Sequence, residues 1–388
     1  MNYSDLISST LREIKPSGIR KFFDMLSDMK DVTALTVGQP DFATPWHVRE
    51  AAIESIEEGK TYYTSNAGMS ELRGELSSYL FRRFGLSYAP TELFVTVGGS
   101  EAIDVAMRSL INPGDEVIIP TPSFVCYEPI AKMAGARCVI IETSVQNGFK
   151  IDPERLKALI TEKTKLLVLP YPNNPTGAIM TREELSGIAE VLRGTNVIVL
   201  SDEIYAELTY TARHFSIANI PDMWERTVIV SGFSKAYAMT GWRLGYIAAP
   251  RELLSAMLKL HQYAIMCAPT ASQFAAIEAL KNGDKDIEYM KAEYNRRRVF
   301  ILEGLRNIGI DTFEPEGAFY IFPKIGDFGL GSEEFCERLL YEERCAIVPG
   351  TAFGDSGEGF ARISYAYSVK HIAEALEKME SFIKKLKR

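Results

Sequence analysis

The sequence predicts an α/β protein: a large domain with a mostly parallel seven-stranded sheet sandwiched by helices, plus a smaller α+β domain. Three observations predict it. From about residue 90 onward, short apolar runs alternate with longer segments of helical period, the rhythm of layered α/β architecture. Most of these runs are continuous rather than alternating, as strands covered by helices on both faces must be. After about residue 285 the rhythm changes, beginning with a long, charged helical stretch.

Taken in chain order, residues 1–45 show no strand–helix rhythm and are expected to form an arm packed on the smaller domain. The large domain is expected over residues 46–285. Its strands are read at Leu93–Val97, Val117–Ile119, Cys138–Ile141, Leu166–Leu169, Val197–Leu200, Thr227–Val230 and Gly245–Ala248. Helix starts fall between them. Asp152 precedes Pro153, and Thr181 has Glu184 three residues on, a capping-box pattern. The small domain is expected over residues 286–388. It opens with the helix Asp286–Asn307, which stops at Gly309. Strands follow at Ala318–Phe322, Ala346–Val348 and Arg362–Ser364, with helices at Glu333–Arg344 and from Val369 to the end.

Composition narrows the function. The 388 residues are 46% hydrophobic and 24% charged, with 43 Lys+Arg against 51 Asp+Glu and a net charge of -8. An acidic chain offers no footprint for a phosphate backbone or an anionic membrane surface, so neither nucleic acid nor membrane is expected as a partner. No apolar run reaches the ~20 residues of a membrane-spanning helix, and Asp5 and Ser8-Ser9-Thr10 do not make a signal peptide; a cytoplasmic location is expected. The five cysteines form no C-x-x-C and have no histidine at metal-ligand spacing. They read as buried, reduced thiols, with no metal site expected.

Open α/β sheets bind ligands at the carboxyl ends of their strands, so chemistry is sought directly after the apolar runs. The first run leads into Gly98-Gly99-Ser100-Glu101-Ala102 and then a helical pattern. Backbone N–H groups at such a helix start, with the Ser100 hydroxyl, suit a phosphate; a tight strand-to-helix turn accounts for the glycines equally well. Neither a G-x-G-x-x-G nor a G-x-x-x-x-G-K-[ST] pattern is present. Asp202 follows four apolar residues so closely that its carboxylate needs a cation or hydrogen-bond donors. A helix cap or internal ion pair is an alternative reading. Lys235 lies five residues beyond a buried strand, among Phe233, Tyr237 and Trp242, with Arg243 eight residues on. A desolvated lysine near another cation has a lowered pKa and serves as an imine-forming nucleophile, whereas a lysine taken alone reads as a surface residue.

One cofactor needs all of these parts together. Pyridoxal phosphate requires a lysine for its aldehyde, a carboxylate on its ring nitrogen, donors at its phenolic oxygen, and donors plus a cation around its phosphate. Lys235, Asp202, Tyr205 with Asn174, and Gly99-Ser100-Glu101 with Arg243 form that set. On these residues the chain resembles the class I aminotransferases, pyridoxal-phosphate enzymes of fold type I, and within them the aspartate and aromatic aminotransferases. The resemblance runs from Gly38-Gln39-Pro40-Asp41-Phe42 through Asn174-Pro175-Thr176-Gly177 and Ser234-Lys235, with its trailing Thr240-Gly241-Trp242-Arg243, to Arg362-Ile363-Ser364.

The resemblance implies roles residue by residue. Lys235 would carry the cofactor and shuttle a proton, Asp202 would pair with the ring nitrogen, Tyr205 and Asn174 would contact the phenolic oxygen, and Phe124 would stack on the ring. Gly99, Ser100, the Glu101 N–H, Ser234 and Arg243 match the phosphate cup. Tyr63 matches a tyrosine that reaches the neighbouring subunit's phosphate, which implies a homodimer with shared active sites. Arg362, with the Gly38 backbone opposite, matches the clamp on the substrate α-carboxylate. One departure stands out: three residues before the lysine many members have Ser, and here Gly232 leaves Ser231 or Ser234 to replace that contact. The expected reaction moves the amino group of an L-amino acid, aspartate, aromatic or both, to a 2-oxo acid such as 2-oxoglutarate by a ping-pong mechanism. Alternatives on the same scaffold are a carbon–sulfur lyase or cyclopropane-forming synthase. A cofactor-sensing transcription regulator is disfavoured because the match begins within the first 40 residues and leaves no room for a DNA-binding module.

Overall fold

The computed structural model describes residues 1–387 apart from 2, 17 and 19–28, so part of the expected N-terminal arm lies outside the described residues. In chain order the strands are β1 Thr33–Ala34, β2 Leu93–Thr96, β3 Glu116–Thr121, β4 Arg137–Glu142, β5 Thr164–Leu169, β6 Ile198–Asp202, β7 Thr227–Gly232, β8 Gly245–Ala248, β9 Tyr320–Ile321, β10 Cys345–Ala346, β11 Val348–Pro349 and β12 Ala361–Ser364. All seven apolar runs of the large unit are strands of one sheet, ordered β2-β8-β7-β6-β5-β3-β4. β8 is antiparallel to both of its neighbours; every other pair is parallel.

Burial explains why the runs are continuous. Every residue of β2, β3, β7 and β8 is buried, as helices on both faces require. Edge strand β4 is exposed or half-buried along its length except at Ile141. The helix starts follow from local chemistry. Asp152 accepts from the Glu154 N–H (2.9 Å), while the Thr181 N–H donates to Glu184 Oε2 (2.7 Å) and the Glu184 N–H donates back to Thr181 Oγ1 (3.3 Å). Each cap satisfies N–H groups that the helix itself leaves without partners.

The second sheet, β11-β12-β9, is antiparallel, and β1 pairs in parallel with β10. Leu35 continues that attachment: its N–H donates to the Ala346 carbonyl and its carbonyl accepts from the Ser364 N–H, both at 2.9 Å. Its side chain is buried in one core with Ile321, Ile363 and Tyr365. The helix Ser9–Glu13, by contrast, lies against the helix Tyr127–Met133 beside the large sheet. Two expected strands are shorter than the sequence suggests. Ala318 has φ +57°, so the ladder starts only at Tyr320. The run Ala346–Val348 is divided at Ile347, because Ala346 pairs with Ala34 whereas Val348 pairs with Arg362 of another sheet. No helix among the described residues is long and apolar enough to cross a membrane.

Candidate active site

A cavity of about 350 Å³ opens at the carboxyl ends of the large sheet, between it and the second sheet. The turns after β2, β3, β5, β6 and β7 bring Gly99, Ser100, Phe124, Asn174, Asp202, Tyr205, Ser234, Lys235 and Arg243 to its wall; Gly38 and Arg362 close it from the other side.

Asp202 ends β6 and is buried. Its carboxylate accepts from Tyr127 Oη (2.7 Å) and from the Ile204 N–H (3.2 Å). Burial is the main cause that pushes its pKa above the ordinary value; the two donors and the Lys235 charge pull the other way, and Glu203 adds to the rise. The result is an unusually basic carboxylate held at a fixed angle.

Lys235 follows β7 in the turn Ser234–Thr240. Its Nζ donates to the Gly38 carbonyl (2.6 Å) and stands 5.7 Å from the ring centroids of both Tyr205 and Phe319. Burial first, then the charges of Arg362 and Arg243, lower its pKa to about 8, against a pull upward from Asp202. That is the environment of a nucleophilic amine. Arg362 is fully surrounded. It donates to Asn174 Oδ1 (3.0 Å) and to the Thr36 carbonyl (2.6 Å), and its guanidinium carbon lies 4.6 Å from the Tyr320 ring centroid and 4.8 Å from that of Phe353. Among the described residues it has no carboxylate partner, its Nε has no hydrogen-bond partner, and burial pulls its pKa down.

Arg243, at φ +52°, curls back to donate to the Thr240 carbonyl (3.0 Å) and lies against the turn that starts the helix Gly98–Leu110. A Cβ at Gly98 would meet Arg243 Nη2 at 2.5 Å, so only glycine lets the arginine approach the helix N-terminus. The glycine at 232 has a similar cause: a Cβ there would lie 2.9 Å from both Gly245 Cα and the Leu244 carbonyl of the neighbouring strand. Of its two neighbouring serines, Ser231 points elsewhere and donates to the Glu203 carbonyl (3.1 Å), whereas Ser234 lines the cavity.

Two expected site residues stand outside the cavity. The Glu101 carboxylate accepts from the Val97 N–H and pairs with buried His261 (2.5 Å), stapling the helix start. Tyr63 is 78% exposed. Sequence reasoning missed Tyr127, the donor to Asp202, and left Tyr320 open; Tyr320 shares a hydrogen bond with Tyr205 (2.9 Å) and faces Arg362. Nothing in the spacing marks Tyr127 as Asp202's partner.

The charges define what fits. Among the described residues, Lys235, Arg243 and Arg362 line the cavity against a single carboxylate, Asp202, and buried cations without counter-charges are costly. The site therefore suits a group that brings anions of its own, with an aldehyde for the lysine and a basic ring nitrogen for Asp202. Pyridoxal phosphate with an amino-acid carboxylate has that donor and charge pattern. Helix N–H groups at Gly99 and Ser100, without intrahelical partners, suit its phosphate.

The family model described as aminotransferase class I and II matches residues 30–379. YugH of Bacillus subtilis (strain 168), named only provisionally as an aminotransferase, is 54% identical over 98% of this chain and 98% of its own length. The aspartate aminotransferase of Pyrococcus abyssi is 42% identical over 98% of this chain and 99% of its own. The crystal structure of the aromatic aminotransferase from Pyrococcus horikoshii superposes with a TM-score of 0.90 at 43% identity, covering 94% of this chain and 99% of that one. These likenesses favour amino transfer over the lyase, synthase and regulator alternatives.

Proposed function

The chain belongs to the class I and II aminotransferases, pyridoxal-phosphate-dependent enzymes, and from that premise we propose that its cavity binds this cofactor and moves the amino group of an L-amino acid, aspartate, aromatic or both, to a 2-oxo acid such as 2-oxoglutarate. The carrying observation is a lysine of lowered pKa set among two further cations and one buried carboxylate at the sheet ends. When bound, the cofactor supplies an aldehyde for amines and a ring that accepts electrons from the substrate Cα. Lys235 would hold it through Nζ and, once released, would carry the proton that leaves the substrate Cα. Asp202 keeps a proton on the ring nitrogen. Tyr205 and Asn174 donate to the phenolic oxygen, and Phe124 covers the ring face. Gly99, Ser100, the Glu101 N–H, Ser234 and Arg243 hold the phosphate, with Ser234 taking the contact that Gly232 lacks. Arg362 and the Gly38 backbone orient the α-carboxylate. The test is a half-reaction screen: purified holoenzyme mixed with single amino acids, without oxo acid, should convert its cofactor absorbance to that of the aminated form. A band untouched by every amino acid refutes the reading.

The lowered pKa of Lys235 has a direct consequence. Only the neutral amine attacks an aldehyde, so covalent capture of pyridoxal phosphate by the apo chain should speed up as pH rises and level off above about 8. Stopped-flow absorbance checks this; a capture rate that falls with pH contradicts it. Arg362 yields a second expectation. Its planar guanidinium offers a paired contact that an ammonium cannot copy. Arg362→Lys should raise KM for every amino-acid substrate by a similar factor, about tenfold for a loss of ~1.4 kcal/mol. An effect confined to one side-chain class would move this arginine to the specificity pocket.

The proposal includes a homodimer in the cytoplasm, built from the arm 1–45, large domain 46–285 and small domain 286–388. Tyr62, Tyr63, Tyr263, Ile265 and Met266 are all exposed, on two segments tied together where Asn66 donates to the Met266 carbonyl (2.7 Å) and Thr270 to the Tyr62 carbonyl (2.8 Å). Such a patch suits a partner surface, and Tyr63 would cross it to the other subunit's phosphate. Mixing inactive Lys235→Ala with an inactive Tyr63 variant should restore activity as subunits exchange, because one site of each hybrid is then intact. No recovery after proven exchange, or a monomer at assay concentration, counts against sharing.

A further inference from the structure

Behind Asp202 lies a second buried carboxylate that the chemistry above does not use. Successive strand residues point to opposite faces, so Ser201 and Glu203 share the face that Asp202 does not. Glu203 is only 3% exposed. Its Oε1 accepts from Ser201 Oγ (2.8 Å) and Ser216 Oγ (2.6 Å), and its Oε2 pairs with His214 Nε2 (2.9 Å). The backbone is held as firmly: the Glu203 N–H donates to the Val230 carbonyl of β7 (2.8 Å), and its carbonyl accepts from Ser231 Oγ. His214 meets Phe84 edge-on at 5.8 Å and lines a surface cleft with Arg83 and Glu207. None of Ser201, Glu203, His214 and Ser216 lines the active cavity.

A buried ionic network of this kind is seldom the most stable way to fill space, since apolar residues of equal volume often do as well or better. It does something that apolar residues cannot: it places a fixed carboxylate one residue from Asp202. After burial, Glu203 is among the causes that raise Asp202's proton affinity. The other titratable groups facing Glu203 are Tyr88 and Tyr246, both raised chiefly by burial; Tyr127, Tyr205, Cys126 and Lys235 face Asp202.

We propose that Glu203 and His214 are positioning residues for Asp202, a hydrogen-bonded pair that fixes the end of β6 and supplies the negative field favouring a proton on the ring nitrogen that Asp202 meets. The inference rests on the cofactor site proposed above. It is tested on holoenzyme by titrating the cofactor's absorbance with pH and by separating kcat from KM. Glu203→Gln removes the charge at equal volume. The pH midpoint of the absorbance should move down by about half a unit or more, because a lost anion disfavours a protonated chromophore. Its kcat should fall about tenfold with KM little changed, the pattern of a lost transition-state effect. Glu203→Asp keeps the charge and should return the midpoint toward the parent value. A parental midpoint and kcat in Glu203→Gln, with only the melting temperature lowered, would show a purely structural pair and overturn the proposal. If that variant does not fold, His214→Phe decides in the same way: a displaced midpoint and lower kcat support the pair, parental values overturn it. A parent protein that forms no cofactor band at all fails on the site reading instead, and is told apart by that.

Discussion

Lys235→Ala is expected to abolish steady-state amino transfer. Among the described residues its Nζ is the only lysine amine on the cavity wall, and three features prepare it: burial, two neighbouring guanidinium charges, and the Gly38 carbonyl that holds it in place. Proton transfer by a positioned base accounts for about 10²–10⁴ in rate, and the variant also loses the covalent hold on the cofactor. A fall of roughly 10⁴ or more in kcat follows, together with loss of the absorbance that marks lysine-bound cofactor. Lys235→Arg separates charge from chemistry. It keeps the cation but has no neutral form near pH 7, so it should be as inactive as the alanine variant. Steady-state turnover near the parental rate in either protein would remove Lys235 from the proposed mechanism; cofactor binding without turnover is the expected outcome.

The strands were legible because burial on both faces leaves a plain mark: runs of three to five mostly apolar residues between helical segments. Direction was not. Nothing in Gly245–Ala248 says that β8 runs against β2 and β7, since hydrogen-bond polarity leaves no trace in side-chain chemistry. The arm's attachment at Thr33–Leu35 was invisible for a different reason, as two residues of parallel pairing are too short for any period to show. Ala346–Val348 looks like one strand, and only three-dimensional neighbours divide it at Ile347.

At the site, residues next to strand ends were legible and residues that arrive from a distance were less so. Asp202 and Lys235 announce themselves by following apolar runs. Arg362 required the family resemblance, because the residues that hold it in place, Thr36 and Asn174, are far away in sequence. Gly232 looked like a lost phosphate contact; the reason for it is the close passage of Gly245, a packing fact no single position can display. Tyr127 was missed altogether, although its Oη donates to Asp202.

Asp202→Ala should damage the chemical step far more than substrate binding. The carboxylate lies at the floor of the cavity, where Tyr127 Oη and the Ile204 N–H fix its direction and burial makes it basic. With the cofactor bound, such a group would hold a proton on the ring nitrogen, where the cofactor's chemistry gathers negative charge. A charge interaction of about 4 kcal/mol, expected at ~4 Å and an effective dielectric near 20, corresponds to roughly a thousandfold in rate. Asp202→Asn keeps size and some hydrogen bonding but no charge, so it should fall nearly as far. Tyr127→Phe removes one donor and leaves the charge, and a single hydrogen bond of ~1 kcal/mol predicts a loss of about fivefold. The order Ala, Asn, then Phe is therefore the signature of electrostatics over packing. Single-turnover deprotonation, followed by the cofactor's absorbance after mixing with an amino acid, measures this step directly. A rate within about tenfold of the parent in Asp202→Ala would leave the electron-accepting role without its carboxylate.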